Sequence, residues 1–261
     1  MRSLAISALV ALLLAGCTAP SSPEPRWLAH AGCGTACESP VNSTLAVLEA
    51  MGHGVDGIEL DVQLSADGVL IAFHPDRLEV STNGTGLVNA WVWADLRRLS
   101  LADRPEVRLA RVEDLMRLDS AGNLQWVLDI KLFAAGDWVP YLDRFAEALR
   151  ALETNSAAIG RVRIECRDLE FLTRVQRSAP HWELGLVATD PIKALGEARG
   201  RGIPWVVLPM DRTERNVVQA AHDLGLRVST FGASTKGELR EAWALGVDEV
   251  QLDDPGVLPV R

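Results

Sequence analysis

Four apolar runs in this chain each lead into a residue able to do chemistry. The first, Leu28-Ala-His-Ala-Gly32, carries His30. The second, Gly57-Ile-Glu-Leu-Asp61, carries Glu59 and Asp61. The third, Ile71-Ala-Phe-His74, ends on a second imidazole, and the fourth, Trp126-Val-Leu-Asp-Ile-Lys131, carries Asp129 and Lys131. Side chains two residues apart on a strand share a face, so Glu59 stands beside Asp61 and Asp129 beside Lys131. Brought to one place, three carboxylates would repel one another, and each charge would lose hydration. A divalent cation relieves both penalties, and an all-oxygen set of Glu59, Asp61 and Asp129 suits Mg2+ or Ca2+ better than zinc. With such a cation, Lys131 can neutralise the non-bridging oxygens of a phosphate diester. His30 and His74, near neutral pKa, can exchange protons with the nucleophile and the leaving oxygen. The pattern therefore points to phosphodiester cleavage of a small molecule, with the acid and base roles of the two histidines left open.

The elements that must position these groups alternate. Strand candidates lie at Trp27–Ala31, Gly57–Leu64, Val69–Phe73, Leu124–Leu132, Val162–Cys166, Leu184–Ala188, Trp205–Leu208, Arg227–Phe231 and Glu249–Leu252. Helical patterns fall between them at Ser43–Met51, Trp138–Leu152, Asp168–Arg177, Pro191–Arg199, Glu214–Leu224 and Thr235–Ala244. Strands alternating with helices imply a parallel sheet, and this length suits an eight-stranded (β/α)8 barrel, whose reactive groups stand at the carboxyl ends of the strands. Nine strand candidates make the barrel irregular. The surplus is explained if Leu64-Ser-Ala-Asp-Gly-Val69 is a tight connection, too short for a crossover helix. Residues 75–123 have no βα rhythm and read as a small subdomain inserted at the barrel rim, with a helix at Trp91–Leu99. An open doubly wound sheet is the competing architecture, but the first strand has no glycine-rich dinucleotide turn after it.

The 261 residues, 48% hydrophobic and 23% charged, are enough for one globular domain, and 26 basic against 35 acidic residues give a formal charge of −9. That balance argues against a nucleic-acid surface. Met1 to Gly16 has the layout of a secretory signal peptide, and Leu14-Ala-Gly-Cys17 resembles the lipobox of bacterial lipoproteins. Cleavage there would leave Cys17 as a lipid-modified N-terminus, residues 17–26 as a tether and residues 27–261 as the folded body, exported and anchored to a membrane of the cell envelope, with the outer membrane or periplasm favoured. Cys33 and Cys37 can close a small disulfide in an oxidising compartment. Zinc at this pair is not expected, because no further Cys or His lies at short spacing. Cys166 reads as a buried hydrophobe, and His53, His181 and His222 as structural. Glu165, at the end of a strand, is a candidate substrate contact, and Asp253 serves either barrel closure or the site.

Ala29-His-Ala-Gly32, Pro40-Val-Asn-Ser-Thr44, Gly54-Val-Asp-Gly-Ile-Glu-Leu-Asp-Val-Gln-Leu-Ser-Ala-Asp-Gly68, Phe73-His74 and Thr82-Asn-Gly-Thr-Gly86 occur in the order and spacing of the glycerophosphodiester phosphodiesterase family, which this chain resembles. Leu128-Asp-Ile-Lys131 and Gly246-Val-Asp-Glu-Val-Gln-Leu-Asp-Asp-Pro255 extend the resemblance towards the C-terminus. It implies a (β/α)8 barrel with a small inserted subdomain and a divalent metal on Glu59, Asp61 and Asp129. His30 and His74 would be catalytic, and the products would be glycerol 3-phosphate and an alcohol. It also implies attack by the neighbouring glycerol hydroxyl of the substrate, followed by hydrolysis of a cyclic phosphate.

The chain departs from the family pattern at five places. Ala31 replaces the Arg of His-Arg-Gly, leaving more of the phosphate binding to Lys131. Val41 replaces the Glu of Pro-Glu-Asn-Thr, Asp129 a longer Glu, and Pro75 the Asp that follows the second histidine. Phe231-Gly-Ala-Ser234 stands where the family has Trp-Thr-Val-Asn, which makes Phe231 a further candidate substrate contact. These departures keep two alternatives in view. One is a phospholipase D-like or sphingomyelinase D-like lipid phosphodiesterase, for which Trp91 and Trp93 could supply an apolar rim. The other is a catalytically silent lipid-anchored barrel.

Overall fold

The computed structural model describes residues 23–155 and 162–259. The proposed signal peptide, Cys17 and most of the tether lie outside the described residues. Eight parallel strands close a barrel: β1 (Arg26–Ala29), β2 (Gly57–Leu64), β5 (Gln125–Ile130), β6 (Val162–Cys166), β7 (Glu183–Val187), β8 (Trp205–Pro209), β9 (Arg227–Ala233) and β10 (Glu249–Leu252), with β1 paired to both β10 and β2. Helices α1 (Thr44–Gly52), α4 (Trp138–Asn155), α5 (Leu169–Ser178), α6 (Pro191–Arg201), α7 (Arg215–Asp223) and α8 (Lys236–Leu245) cross back outside. The caps follow the sequence: Ser43, Asp168 and Asp190 each accept a backbone N–H in the first turn, and Thr235 with Glu238 forms a capping box. Among the described residues no helix is long and apolar enough to cross a membrane.

The surplus strand candidate, Val69–Phe73, differs from its barrel companions. It becomes β3 (Leu70–Ala72), antiparallel to the outer half of β2 and outside the barrel, and β4 (Ala110–Arg111) adds to its far edge. The short connection after Leu64 is thus a hairpin, and the excursion from the barrel begins there, ahead of residue 75. Because β2 overshoots the rim and β3 runs back, the hairpin returns the chain to the mouth and delivers His74 there. The inserted segment has its own core of Ile71, Phe73, Leu78, Val88, Leu96, Leu99 and Leu109. Its helical pattern shortens to α2 (Trp93–Leu96), and α3 (Val112–Met116) leads back towards the barrel. Trp91 and Trp93 pack against this core, Trp91 donating to the Thr85 carbonyl at 3.0 Å and Trp93 lying under the Arg111 guanidinium, so they do not form a free apolar rim.

Inside the barrel, below the mouth, Arg163 is fully buried with Glu165 and Glu249 as ion-pair partners. Its guanidinium stacks on Trp205 at 4.2 Å, with that of Arg227 at 4.3 Å from the same ring. The upper half of the lumen belongs to the candidate site.

Candidate active site

Strand register decides which side chains meet. Asp61 lies opposite Asp129 across β2 and β5, while β1 pairs Ala29 with Ile58 and so sets His30 level with Glu59. One oxygen each from Glu59, Asp61 and Asp129 lie within 4.8 Å of one another. Lys131 sits over two of them, its Nζ 2.6 Å from Asp129 and 3.0 Å from Asp61. Burial opposes the ammonium charge, but Asp129 and Asp61 overcome that effect and hold its pKa above the ordinary lysine value. Burial and then the Asp61 charge push the Glu59 carboxyl well above the carboxylate range, and burial raises Asp129 as well.

Glu59 reaches the mouth through an unusual backbone turn. Ala31 adopts φ 48°, ψ 37°, a left-handed conformation that costs an L-residue about 1 kcal/mol or more and turns its N–H onto Glu59 Oε2 at 2.6 Å. The other oxygen, Oε1, is buried without a hydrogen-bond partner. An orphaned carboxylate oxygen beside two further carboxylates is what a hard divalent cation would satisfy, and Glu59, Asp61 and Asp129 fit that group.

His30 is fixed from both sides. Its Nδ1 lies 2.6 Å from Asp253 Oδ1, and its Nε2 faces Glu59 Oε2 at 3.8 Å. Burial works against the imidazolium, but the Asp253 hydrogen bond and the charges of Glu59 and Asp61 raise its pKa to about 9. Phe231 packs beside the ring, centroids 6.0 Å apart. His74 is exposed and lines the same cavity of about 420 Å³, which also takes in Ala31, Thr35, Val41, Asn42 and Asp61. Its remaining wall combines an apolar part, Pro40, Ala72, Phe73, Pro75, Leu101 and Leu109, with Ser43, Ser81, Asp103 and Arg108.

The structure therefore brings together His30, His74, Glu59, Asp61, Asp129, Lys131 and Phe231. Glu165 is placed elsewhere. It is 1% exposed, bound by Arg163 Nε at 2.7 Å and by Gln251 Nε2 at 3.0 Å, so its oxygens serve the barrel interior instead of a substrate. Two residues join the site that the strand-end pattern did not assign to it. Asn42 donates to Asp61 Oδ2 at 2.7 Å and accepts the Asp61 N–H at 3.0 Å, fixing that carboxylate, and Asp253 holds His30. Asn42 also has a positive φ of 58°, a conformation that Asn adopts more readily than most residues, but nothing in its sequence neighbourhood points to Asp61.

A family model described as the glycerophosphoryl diester phosphodiesterase family matches residues 30–257. The chain belongs to that family. It is 24% identical to the glycerophosphodiester phosphodiesterase of Caldanaerobacter subterraneus subsp. tengcongensis over 84% of this chain and 90% of the relative. It is 25% identical to the glycerophosphodiester phosphodiesterase of Bacillus altitudinis over 83% and 90%. Among solved structures, a phosphodiesterase from Oleispira antarctica in complex with the product sn-glycerol-3-phosphate shares the fold at TM-score 0.77, with 19% identity, covering 88% of this chain and 94% of that one. The matched span begins at His30 and takes in every residue of the mouth.

Proposed function

We propose that this chain hydrolyses glycerophosphodiesters to glycerol 3-phosphate and an alcohol, using a divalent cation and the two histidines. The observation that carries the reading is the convergence of the Glu59, Asp61 and Asp129 carboxylates with Lys131 and His30 in a family barrel, where His30 and Asp61 line one cavity with His74. Glu59, Asp61 and Asp129 would hold Mg2+ or Ca2+, which supplies electrostatic stabilisation of charge developing on the phosphate. Asn42 and the Ala31 N–H keep two of those carboxylates oriented. Lys131 places a cation beside the same phosphate and takes part of the load that the family Arg, absent at Ala31, would carry. His30, locked by Asp253, and His74, at the cavity wall, are the proton carriers for the attacking and leaving oxygens.

The apolar part of the wall supports a second reading, in which the diester carries an acyl chain and the enzyme acts on a lipid in the manner of a phospholipase D. Residues 1–16 as a signal peptide and Cys17 as a lipid attachment site belong to this proposal too. On that reading the barrel is held at the bacterial envelope, and incorporation of labelled fatty acid into the wild type but not into Cys17→Ser tests that part.

The deciding experiment follows release of glycerol 3-phosphate from glycerophosphocholine and glycerophosphoethanolamine, and of choline from lysophosphatidylcholine, with Mg2+, Ca2+ or chelator. Turnover that needs the cation and disappears in both His30→Ala and His74→Ala is the expected result. Equal turnover with chelator would sink the metal role. No turnover of any diester, with full cation binding, would favour the silent barrel.

A further inference from the structure

A second cluster of ligating side chains lies away from the carboxylates of the mouth. Cys33 and Cys37 form a disulfide, Cα atoms 6.0 Å apart, and Glu49 and His53 face it from helix α1. One ligand atom from each of the four lies within 4.8 Å of the others. In the sequence no further Cys or His lies at short spacing from this pair. The fold supplies further ligands: Glu49 and His53 are one helical turn apart on a single face of α1, with His53 at its C-cap, and that face packs over the Cys33–Cys37 loop.

We infer that reduction of the Cys33–Cys37 disulfide converts this cluster into a zinc site with ligands Cys33, Cys37, Glu49 and His53. Two thiolates, one carboxylate and one imidazole form a tetrahedral set of the kind zinc takes in structural sites. Glu49 Oε2 accepts the Ser39 N–H at 3.0 Å and Oε1 the Glu38 N–H at 3.4 Å, which fixes the carboxylate while leaving lone pairs free for a metal. Hydrogen bonding from Ser39, with the nearby His53, holds its carboxyl below the usual range. An entry path exists, since Cys33 is buried but Cys37 is half-buried and His53 exposed. The chemistry balances. A phosphine reductant gives two electrons to the disulfide and takes oxygen from water as phosphine oxide, leaving two thiols, and Zn2+ then displaces both thiol protons into the buffer.

The exchange matters for the molecule because the loop bears on the site. The Ala36 N–H donates to the Asp253 carbonyl at 3.0 Å, Thr35 lines the catalytic cavity, and Asp253 holds His30. Either closure, disulfide or metal, keeps that loop folded. The site thus lets the enzyme keep its mouth in both oxidising and reducing surroundings.

The test adds Co2+ to the full-length chain before and after treatment with tris(2-carboxyethyl)phosphine, and follows the absorbance of thiolate-to-cobalt charge transfer and of tetrahedral Co2+. The oxidised form, in which Cys166 is the free cysteine among the described residues and is buried, is the internal control. The oxygen ligands at Glu59, Asp61 and Asp129 give no thiolate band in either form. Reduction is expected to add one tetrahedral, thiolate-ligated Co2+ that Zn2+ displaces. Glu49→Gln and His53→Ala should each weaken Zn2+ binding by roughly 10- to 100-fold or more. Alkylation of the two freed thiols should abolish binding, which covers the case in which a double Cys→Ser variant does not fold. Identical spectra before and after reduction would overturn the inference. So would a band unmoved by both Glu49→Gln and His53→Ala, since the metal would then be held by thiols alone.

Discussion

Asp253 and His30 are 223 positions apart in the chain and 2.6 Å apart in the fold, side by side at the carboxyl end of the seam where β1 and β10 close the barrel. The carboxylate fixes Nδ1 of the imidazole and so dictates that Nε2 faces the mouth. Asp253→Ala is expected to lower kcat by about 10- to 100-fold, less than the roughly 100- to 10,000-fold that positioned proton transfer itself contributes, with little change in KM or cation affinity. Asp253→Asn, which keeps an acceptor but not the charge, should fall between the two. Steady-state kinetics with a cation titration on each variant checks this, and equal kcat in all three proteins would remove Asp253 from the catalytic arrangement.

Cation binding should be coupled to proton release. The Glu59 carboxyl is raised well above its ordinary value by burial and by Asp61, and burial raises Asp129, so both hold protons that a divalent cation must displace. Affinity for Mg2+ or Ca2+ is therefore expected to climb with pH. Calorimetry in two buffers of different ionisation enthalpy should report protons released per ion bound. Glu59→Gln should lose the pH dependence together with most of the affinity.

His30 also links the cation-free fold to pH. Its folded pKa of about 9 is above the ordinary 6.5, so the protonated form is favoured by folding. That stabilisation is present in full below pH 6.5 and fades as pH rises through 9, amounting to roughly 3 kcal/mol at 1.36 kcal/mol per pKa unit. Thermal melts of the chelated protein should therefore lose Tm between pH 6.5 and 9.5 by more than melts of His30→Gln do. Parallel Tm curves for the two proteins would refute this linkage.

Much of the site was legible because strands alternate their faces. Glu59 with Asp61, and Asp129 with Lys131, could be paired from spacing alone, and the apolar runs around them gave the barrel. What escaped depends on distance in sequence. Asn42 meets Asp61 only because the β1–α1 loop folds over β2, and Glu49 with His53 meets Cys33 and Cys37 only because α1 packs on that loop. The direction of β3 was also hidden, since an apolar run of this length reads the same whether it joins the barrel or folds back along β2. Glu165 shows the opposite error. A strand-end carboxylate looks like a mouth residue until the register sets it beside Arg163 and Gln251, which take both oxygens.

That same interior cluster supports a stability prediction. Arg163 is fully buried, ion-paired to Glu165 and Glu249, stacked on Trp205, and held in its charged form because the two glutamates outweigh the effect of burial. Arg163→Met removes the cation that bridges these carboxylates, leaving Glu165 without an ion-pair partner among the described residues and Glu249 to the partly exposed Arg26 at 3.2 Å. Breaking one partner of a buried ion pair costs about 3–5 kcal/mol, which is a large share of the stability of a single domain. Denaturant unfolding of Arg163→Met is expected to show a loss of that size. Arg163→Met with Glu165→Gln and Glu249→Gln should recover most of it, because the repulsion and desolvation of the two acids are then gone. A triple variant no more stable than Arg163→Met would show instead that the loss comes from the missing stack on Trp205.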